Sequence, residues 1–235
     1  LAGRCDTLLL SLPTSAVVAE VVGALGLVLT TQHCILDTTT GEPGEMEALG
    51  QALAKHGAVY IEANVAGSSA LAKRGEATLF LGGSAETIDR CRPILEALAA
   101  KRFHVGPVGA ASRFKLVHNL ILGLNRAALA EGLAFAEALG FDANDALAIL
   151  RETPATSSAL EAKGKKMAKC DFDPPQARLS QHLKDVRLIR KLAGEIGAGT
   201  PLSETHQTLL ERAEALGLGE SDNAAVIEVL RRRNL

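Results

Sequence analysis

The chain has no tryptophan, one tyrosine, six phenylalanines and two methionines among 235 residues. Its core must therefore be filled by Ala, Val, Leu and Ile, which suits helices packed on one another or on a sheet. Charge of one sign is also missing. Lys and Arg number 25 and Asp and Glu 27, a formal net charge of −2, so there is no electrostatic case for a nucleic-acid partner. No apolar run reaches the roughly 20 residues that a membrane-crossing helix needs, and no signal-peptide pattern stands at the start. Cys5, Cys34, Cys91 and Cys170 form no CxxC pair, and the six histidines show no metal-ligand spacing. Both facts argue against a zinc site, and the scattered thiols point to a reducing compartment, the cytoplasm.

What the sequence does have falls into two regimes. Up to residue 108, short apolar runs alternate with helical patterns. Strands are expected over 7–12, 34–37, 58–62, 78–81 and 103–105, and helices over 14–22, 43–56 and 85–100. Strands spaced by helices of this length imply βαβ units and a mainly parallel sheet. Residues 109–235 lose the strand signal. A long apolar-periodic helix over 112–140 is followed by helices near 143–151, 157–169, 179–196, 201–216 and 223–231, most of them divided by Gly, Pro or Asp/Asn signals. The Arg231-Arg232-Arg233 run reads as a solvated helix end, favourable against the helix dipole. The chain opens on Leu1 and enters the buried-type run 7–12 within a few residues. Such runs normally lie inside a sheet, so the first part of the domain is expected to be missing from this sequence.

The most informative stretch is Gly106-Pro-Val-Gly109-Ala-Ala-Ser-Arg-Phe-Lys115-Leu-Val-His-Asn119. A glycine-rich turn runs into the long helix, whose first turns carry a lysine and an asparagine four residues apart, stacked on one face. An ammonium can give a hydroxyl its proton or take it away, and an amide can hold the lysine or a substrate. Out of context, such a pair is most often solvated decoration. The order of other segments gives it weight: Ser11-Leu12-Pro13; Asp37-Thr-Thr39-Thr-Gly-Glu-Pro43; Glu62-Ala-Asn64-Val-Ala66-Gly67-Ser68-Ser69; Gly75-Glu-Ala-Thr-Leu-Phe-Leu-Gly82-Gly83; and Leu183-Lys184-Asp185.

This series resembles the β-hydroxyacid dehydrogenases, the family of 3-hydroxyisobutyrate dehydrogenase, tartronate semialdehyde reductase and the glyoxylate/succinic semialdehyde reductases. More distantly it is similar to the 6-phosphogluconate dehydrogenases. The resemblance implies an α/β Rossmann-type domain over 1–108, an all-α helical domain over 109–235, a long helix joining them and an active site between them. It implies NAD or NADP as cofactor, a small β-hydroxyacid or its semialdehyde as substrate, and a homodimer or homotetramer. Lys115 matches the family's catalytic lysine and Asn119 its substrate-binding partner. Ala66, Gly67 and Ser68 match the loop that holds the substrate carboxylate. Leu12, Pro13 and Thr39 fall in loops lining the cofactor, and Lys184 matches a lysine reaching towards it. In oxidation the lysine must act as a base, and in reduction as an acid.

Three departures accompany the resemblance. No GxGxxG fingerprint lies between a strand and a helix; Gly23-Ala-Leu-Gly26, Gly82-Gly83 and the 194–199 segment are the nearest candidates. Ala111 stands where the turn's third glycine is usual. In the substrate loop, normally Asp-Ala-Pro-Val-Ser-Gly-Gly/Ser, this chain has Glu62, Asn64 and Ala66. Losing the serine hydroxyl at Ala66 removes a bond worth on the order of 1–3 kcal/mol, so substrate identity is less fixed than reaction type. His118 reads as packing or surface. A competing reading is a non-catalytic helical dimerisation or regulatory module derived from a dehydrogenase fold. Imine reductases share the architecture and usually replace the lysine, so Lys115 speaks against them.

Overall fold

Why the sheet changes direction once is visible in its links. Strands β1 (Thr7–Leu10), β2 (Cys34–Asp37) and β3 (Val59–Ala66) are joined by α1 (Ser15–Leu25) and α2 (Pro43–Lys55). Each is long enough to carry the chain back over the sheet, and the pairs β1/β2 and β2/β3 are parallel. Between β3 and β4 (Thr78–Gly82) stands only the five-residue α3 (Ser69–Lys73). A parallel crossover takes a dozen residues or more, so β4 runs antiparallel to β3. Strand β5 (Lys101–Gly106) then pairs parallel to β4, giving the order β1-β2-β3-β4-β5. The expected mainly parallel sheet is present, with this one reversal. The computed structural model describes residues 2–26 and 28–232.

Local chemistry fixes the helix ends. Thr14 caps α1, its hydroxyl accepting from the Val17 N–H, and Pro43 opens α2, where a missing N–H costs nothing. The single helix expected over 85–100 is two, α4 (Ala85–Arg90) and α5 (Arg92–Leu98), broken at Cys91. Pro93 explains the break, since its ring excludes the carbonyl of the residue four earlier. One face of the sheet packs Ile35, Tyr60, Val18 and Met46; the other packs Leu36, Ile61, Leu79 and Leu95.

The chain divides into two compact units, Leu1–Leu116 and Val117–Leu235. The boundary falls early in α6 (Ala110–Ala138), a helix of 29 residues. The second unit continues with α7 (Ala143–Arg151), α8 (Ser158–Lys169), α9 (Leu179–Ile196), α10 (Pro201–Ala213) and α11 (Ile227–Arg231). Its core joins Leu133, Leu160, Met167, Leu183, Leu210 and Val226. The helix expected over 201–216 ends at Ala213 and loosens into a wide turn at Glu214–Leu218, where Gly217 takes a φ of 81°. The segment over 223–231 begins as a 3₁₀ turn, Asn223–Val226, before α11.

The arginine run corrects its expected description. Arg231 is not solvated: its Nε and Nη2 donate to Glu137 at 2.8 and 2.6 Å, its Nη1 to Glu228 at 2.7 Å, and its Nη2 also to the Met167 carbonyl. The bidentate match of guanidinium to carboxylate draws it inward. Arg232 is exposed, and Arg233 lies outside the described residues. Among the described residues no helix is long and apolar enough to cross a membrane.

Candidate functional site

In open α/β sheets, ligands bind beyond the carboxyl ends of the parallel strands. In the first unit, the segments after β1 and β2 join residues of β2 and β3 in one hydrogen-bonded network. Thr39 is its hub. Its hydroxyl accepts the Leu12 N–H at 3.0 Å, its N–H donates to Asp37 Oδ1 at 2.8 Å, and its carbonyl accepts from Asn64 Nδ2. Asp37 also accepts the Tyr60 hydroxyl at 2.7 Å. Burial pushes the Asp37 carboxyl above the usual carboxylate range, while Thr39 and Tyr60 pull it back. Leu12 is thereby held beside the 38–40 loop, with the exposed Pro13 next to it.

A second network ties the glycine turn to β3. Glu62, 1% exposed, accepts from the Gly109 N–H, the Ser112 N–H and the Ser112 hydroxyl. The first N–H groups of a helix lack intrahelical partners and carry partial positive charge, so a carboxylate at the start of α6 satisfies both needs at once. Burial raises the Glu62 pKa above its ordinary value, and the donors from Ser112, Gly109 and Ala111 oppose that shift. Two glycines make the arrangement possible. A side chain at Gly82 would collide with Glu62 Oε2, and Gly109, at φ 91°, would meet Glu47.

The anchored turn sets the direction of the next helical residues. Lys115 is 8% exposed, and its Nζ donates to the Val65 carbonyl at 2.7 Å. This places an amine at the carboxyl end of β3, one residue before Ala66. Ala66 closes the strand and Gly67 follows at φ 146°; Ser68 caps α3, its hydroxyl accepting the Leu71 N–H at 3.3 Å. The Ser68 oxygen therefore already has a local task, and its O–H proton is what it can offer a ligand.

The second unit holds the other two sequence candidates. Asn119 is buried on α6 and donates through Nδ2 to Asp185 Oδ2 of α9 at 2.9 Å. Asp185 Oδ1 lies 3.3 Å from Lys184 Nζ. Asn119, Lys184 and Asp185 are thus one connected set. His118, read from the sequence as packing or surface, is half-buried and places Nδ1 3.0 Å from Asn119 Oδ1, so it belongs with this set.

Of the residues singled out in the sequence, Leu12 and Thr39 are joined directly, Lys115 reaches the strand end that carries Ala66, Gly67 and Ser68, and Asn119 and Lys184 share Asp185. Sequence reasoning missed the supports: Glu62 beneath the glycine turn, Asn64 beneath Thr39, and Tyr60 against Asp37. One signal was available. A glutamate in the middle of the buried-type run Val59-Tyr-Ile-Glu-Ala-Asn-Val requires compensating donors, because an isolated buried carboxylate is costly.

A family model described as the NAD-binding of NADP-dependent 3-hydroxyisobutyrate dehydrogenase matches residues 109–230. Another, the NAD binding domain of 6-phosphogluconate dehydrogenase, matches residues 1–106. The 2-(hydroxymethyl)glutarate dehydrogenase of Eubacterium barkeri is 31% identical over 97% of this chain and 77% of its own length. The cytokine-like nuclear factor N-PAC of Drosophila melanogaster is 30% identical over 87% of this chain, which spans 34% of that protein. Among solved structures, a 3-hydroxyisobutyrate dehydrogenase from Salmonella typhimurium is similar with a TM-score of 0.90 at 25% identity, covering 97% of this chain and 81% of that one.

Proposed function

This chain belongs to the β-hydroxyacid dehydrogenases, NAD(P)-dependent oxidoreductases, and from that premise we propose that it interconverts a small β-hydroxyacid and its semialdehyde or oxo acid with Lys115 as general acid and base. One observation carries the reading: a buried amine whose Nζ is fixed on the Val65 carbonyl at the carboxyl end of β3. There it can protonate a developing alkoxide in reduction and accept a hydroxyl proton in oxidation. Asn119, held by Asp185, orients the substrate oxygen. The 66–68 loop takes the substrate carboxylate through backbone N–H groups and the Ser68 hydroxyl, Ala66 contributing no hydroxyl of its own.

The residues at the strand ends fit the nicotinamide end of a dinucleotide. Thr39 and Asn64 fix the loop from below through Leu12 N–H and Thr39 carbonyl contacts, leaving the apolar Leu12-Pro13 pair beside a polar segment. No strand-to-helix turn among the described residues carries the GxGxxG phosphate cradle. Leu12, Pro13 and Thr39 would hold the nicotinamide end, with Lys184 contributing positive charge. When bound, the nicotinamide supplies or takes the hydride. The protein's own part is to position the substrate and hold the proton at Lys115 Nζ. Four free cysteines suit a reducing compartment such as the cytoplasm. Exposed Ile121, Phe135, Leu139 and Ile149 in the second unit suit a symmetric homodimer or homotetramer.

The test is an initial-rate assay of the purified chain with NAD or NADP and a panel of small β-hydroxyacids, run in reverse with the semialdehydes. Substrate-dependent hydride transfer is expected, falling about 10²–10⁴-fold in Lys115→Met. A folded chain that binds neither cofactor nor turns over any pair would defeat the reading. Such a result would favour the second reading, a non-catalytic module on a dehydrogenase fold. That reading draws support from the likeness to the cytokine-like nuclear factor N-PAC. Fluorescence titration with NADH and NADPH separates the two, since micromolar binding belongs to the enzyme.

A further inference from the structure

The helical unit buries a guanidinium that the proposed reaction does not use. Arg126 of α6 is 5% exposed, and its Nε and Nη1 have no hydrogen-bond partner among the described residues. Around it are His182 of α9 and His206 of α10, both more than nine-tenths buried, with ring centroids 5.1 Å apart. Each presents an Nε2 that also lacks a partner among the described residues. The rings converge on α6 at Gly123. A Cβ there would lie 2.7 Å from His182 Nε2 and 2.9 Å from His206 Cε1. Arg126 follows Gly123 by three residues, the next position on that helix face.

Among the described residues, no carboxylate is hydrogen-bonded to this group. Asp222, the carboxylate that acts on Arg126 electrostatically, is fully engaged elsewhere. It takes Lys163 Nζ at 2.8 and 2.9 Å, the Gln176 N–H at 2.7 Å and the Ala224 N–H at 3.0 Å. A buried charge without a partner is strongly unfavourable, and four buried polar nitrogens, Arg126 Nε and Nη1 and the two histidine Nε2 atoms, with no partner among the described residues add to the problem. Burial and the nearby guanidinium hold the His206 pKa down at about 4 and His182 well below its usual value. Both rings are therefore neutral near pH 7, each with one N–H that can stand on Nε2.

We propose that Arg126, His182 and His206 form a binding site for a small monovalent anion of the halide class. The charge argument sets the valence: Lys163 and Asp222 cancel, leaving one positive charge on Arg126. Burial among α6, α9 and α10 favours a small anion that sheds its water readily over sulfate or phosphate, which are larger and divalent. The anion is not the substrate's carboxylate, because the two histidine rings pack on the Gly123 step between Asn119 and Arg126. The site is independent of the catalytic reading and stabilises the helical unit by binding its folded form.

The experiment is thermal unfolding of the full chain in sodium chloride or bromide against sodium gluconate at equal ionic strength. For the wild type, the unfolding midpoint is expected to rise in halide by roughly 2–5 °C once the concentration is ten times the dissociation constant. Arg126→Met, which keeps the volume and removes the charge, is expected to lose that increment and to be no less stable than wild type in gluconate. Equal midpoints of the wild type in halide and gluconate, or an undiminished halide increment in Arg126→Met, would overturn the site. If the variant does not fold, bromide-grown crystals of the wild type decide. An anomalous peak within hydrogen-bond distance of Arg126 and the imidazoles supports the site, and its absence refutes it.

Discussion

Two buried charges, one in each unit, are handled in opposite ways. Glu62 lies in a β-strand and receives three donors from the start of α6, so its charge fixes a turn. Arg126 lies in mid-helix, and its Nε and Nη1 receive no acceptor among the described residues. The first arrangement is closed and needs nothing from outside, which makes it a rigid base for Lys115 three residues beyond Ser112. The second is open and calls for a ligand. A polar group inside a protein is thus informative according to whether the chain completes its hydrogen bonds, rather than by its presence alone.

The contrast can be broken from either side. The largest effect is expected at the amine the closed network supports: Lys115→Met should reduce turnover about 10²–10⁴-fold while cofactor affinity, read by fluorescence titration, stays within about twofold. Next is the network itself. Glu62→Ala leaves the Gly109 and Ser112 donors buried and unpaired, and should cost on the order of 3 kcal/mol in chemical unfolding. Glu62→Gln keeps an acceptor and should cost less, with kcat falling more than KM rises as the turn under Lys115 loosens.

On the open side, His206 carries a folded-state pKa of about 4 against an ordinary value near 6.5. The unfolded chain therefore binds this proton first as pH falls. Stability that is complete above about pH 6.5 should drain away towards pH 4, by at most about 3 kcal/mol. His206→Gln should flatten that limb in urea unfolding followed across the same range in gluconate. A smaller effect is expected at Gly123→Ala, whose methyl group meets two ring edges closer than 3.0 Å. Overpacking of this kind costs roughly 1–3 kcal/mol, visible as a lower unfolding midpoint, with the halide increment reduced as the rings are displaced.

Much of the frame could be read from residue order. The β1, β2 and β3 positions followed from apolar runs between helical patterns, and Thr39, Lys115 and Asn119 from motif order. What escaped was set by pairings far apart in sequence. Nothing local couples Glu62 to Ser112, Asn119 to Asp185 or Arg231 to Glu137, since each contact exists only after packing. The antiparallel β4 was hidden because its cause is the shortness of the 67–77 link, and the break at Cys91 because the helical period continues through Pro93. Arg126 drew no notice for a related reason. A single arginine in an alanine-rich helix reads as surface until His182 and His206 arrive from two other helices.

Chemical rescue tests the proton-transfer role of Lys115 most directly. Lys115→Ala, assayed with a turned-over substrate and saturating cofactor, should be nearly inactive and should regain rate in proportion to added methylamine or ethylamine, with the rate tracking the fraction of amine in the required protonation state. A folded Lys115→Ala that turns over at the wild-type rate without any added amine would contradict the account.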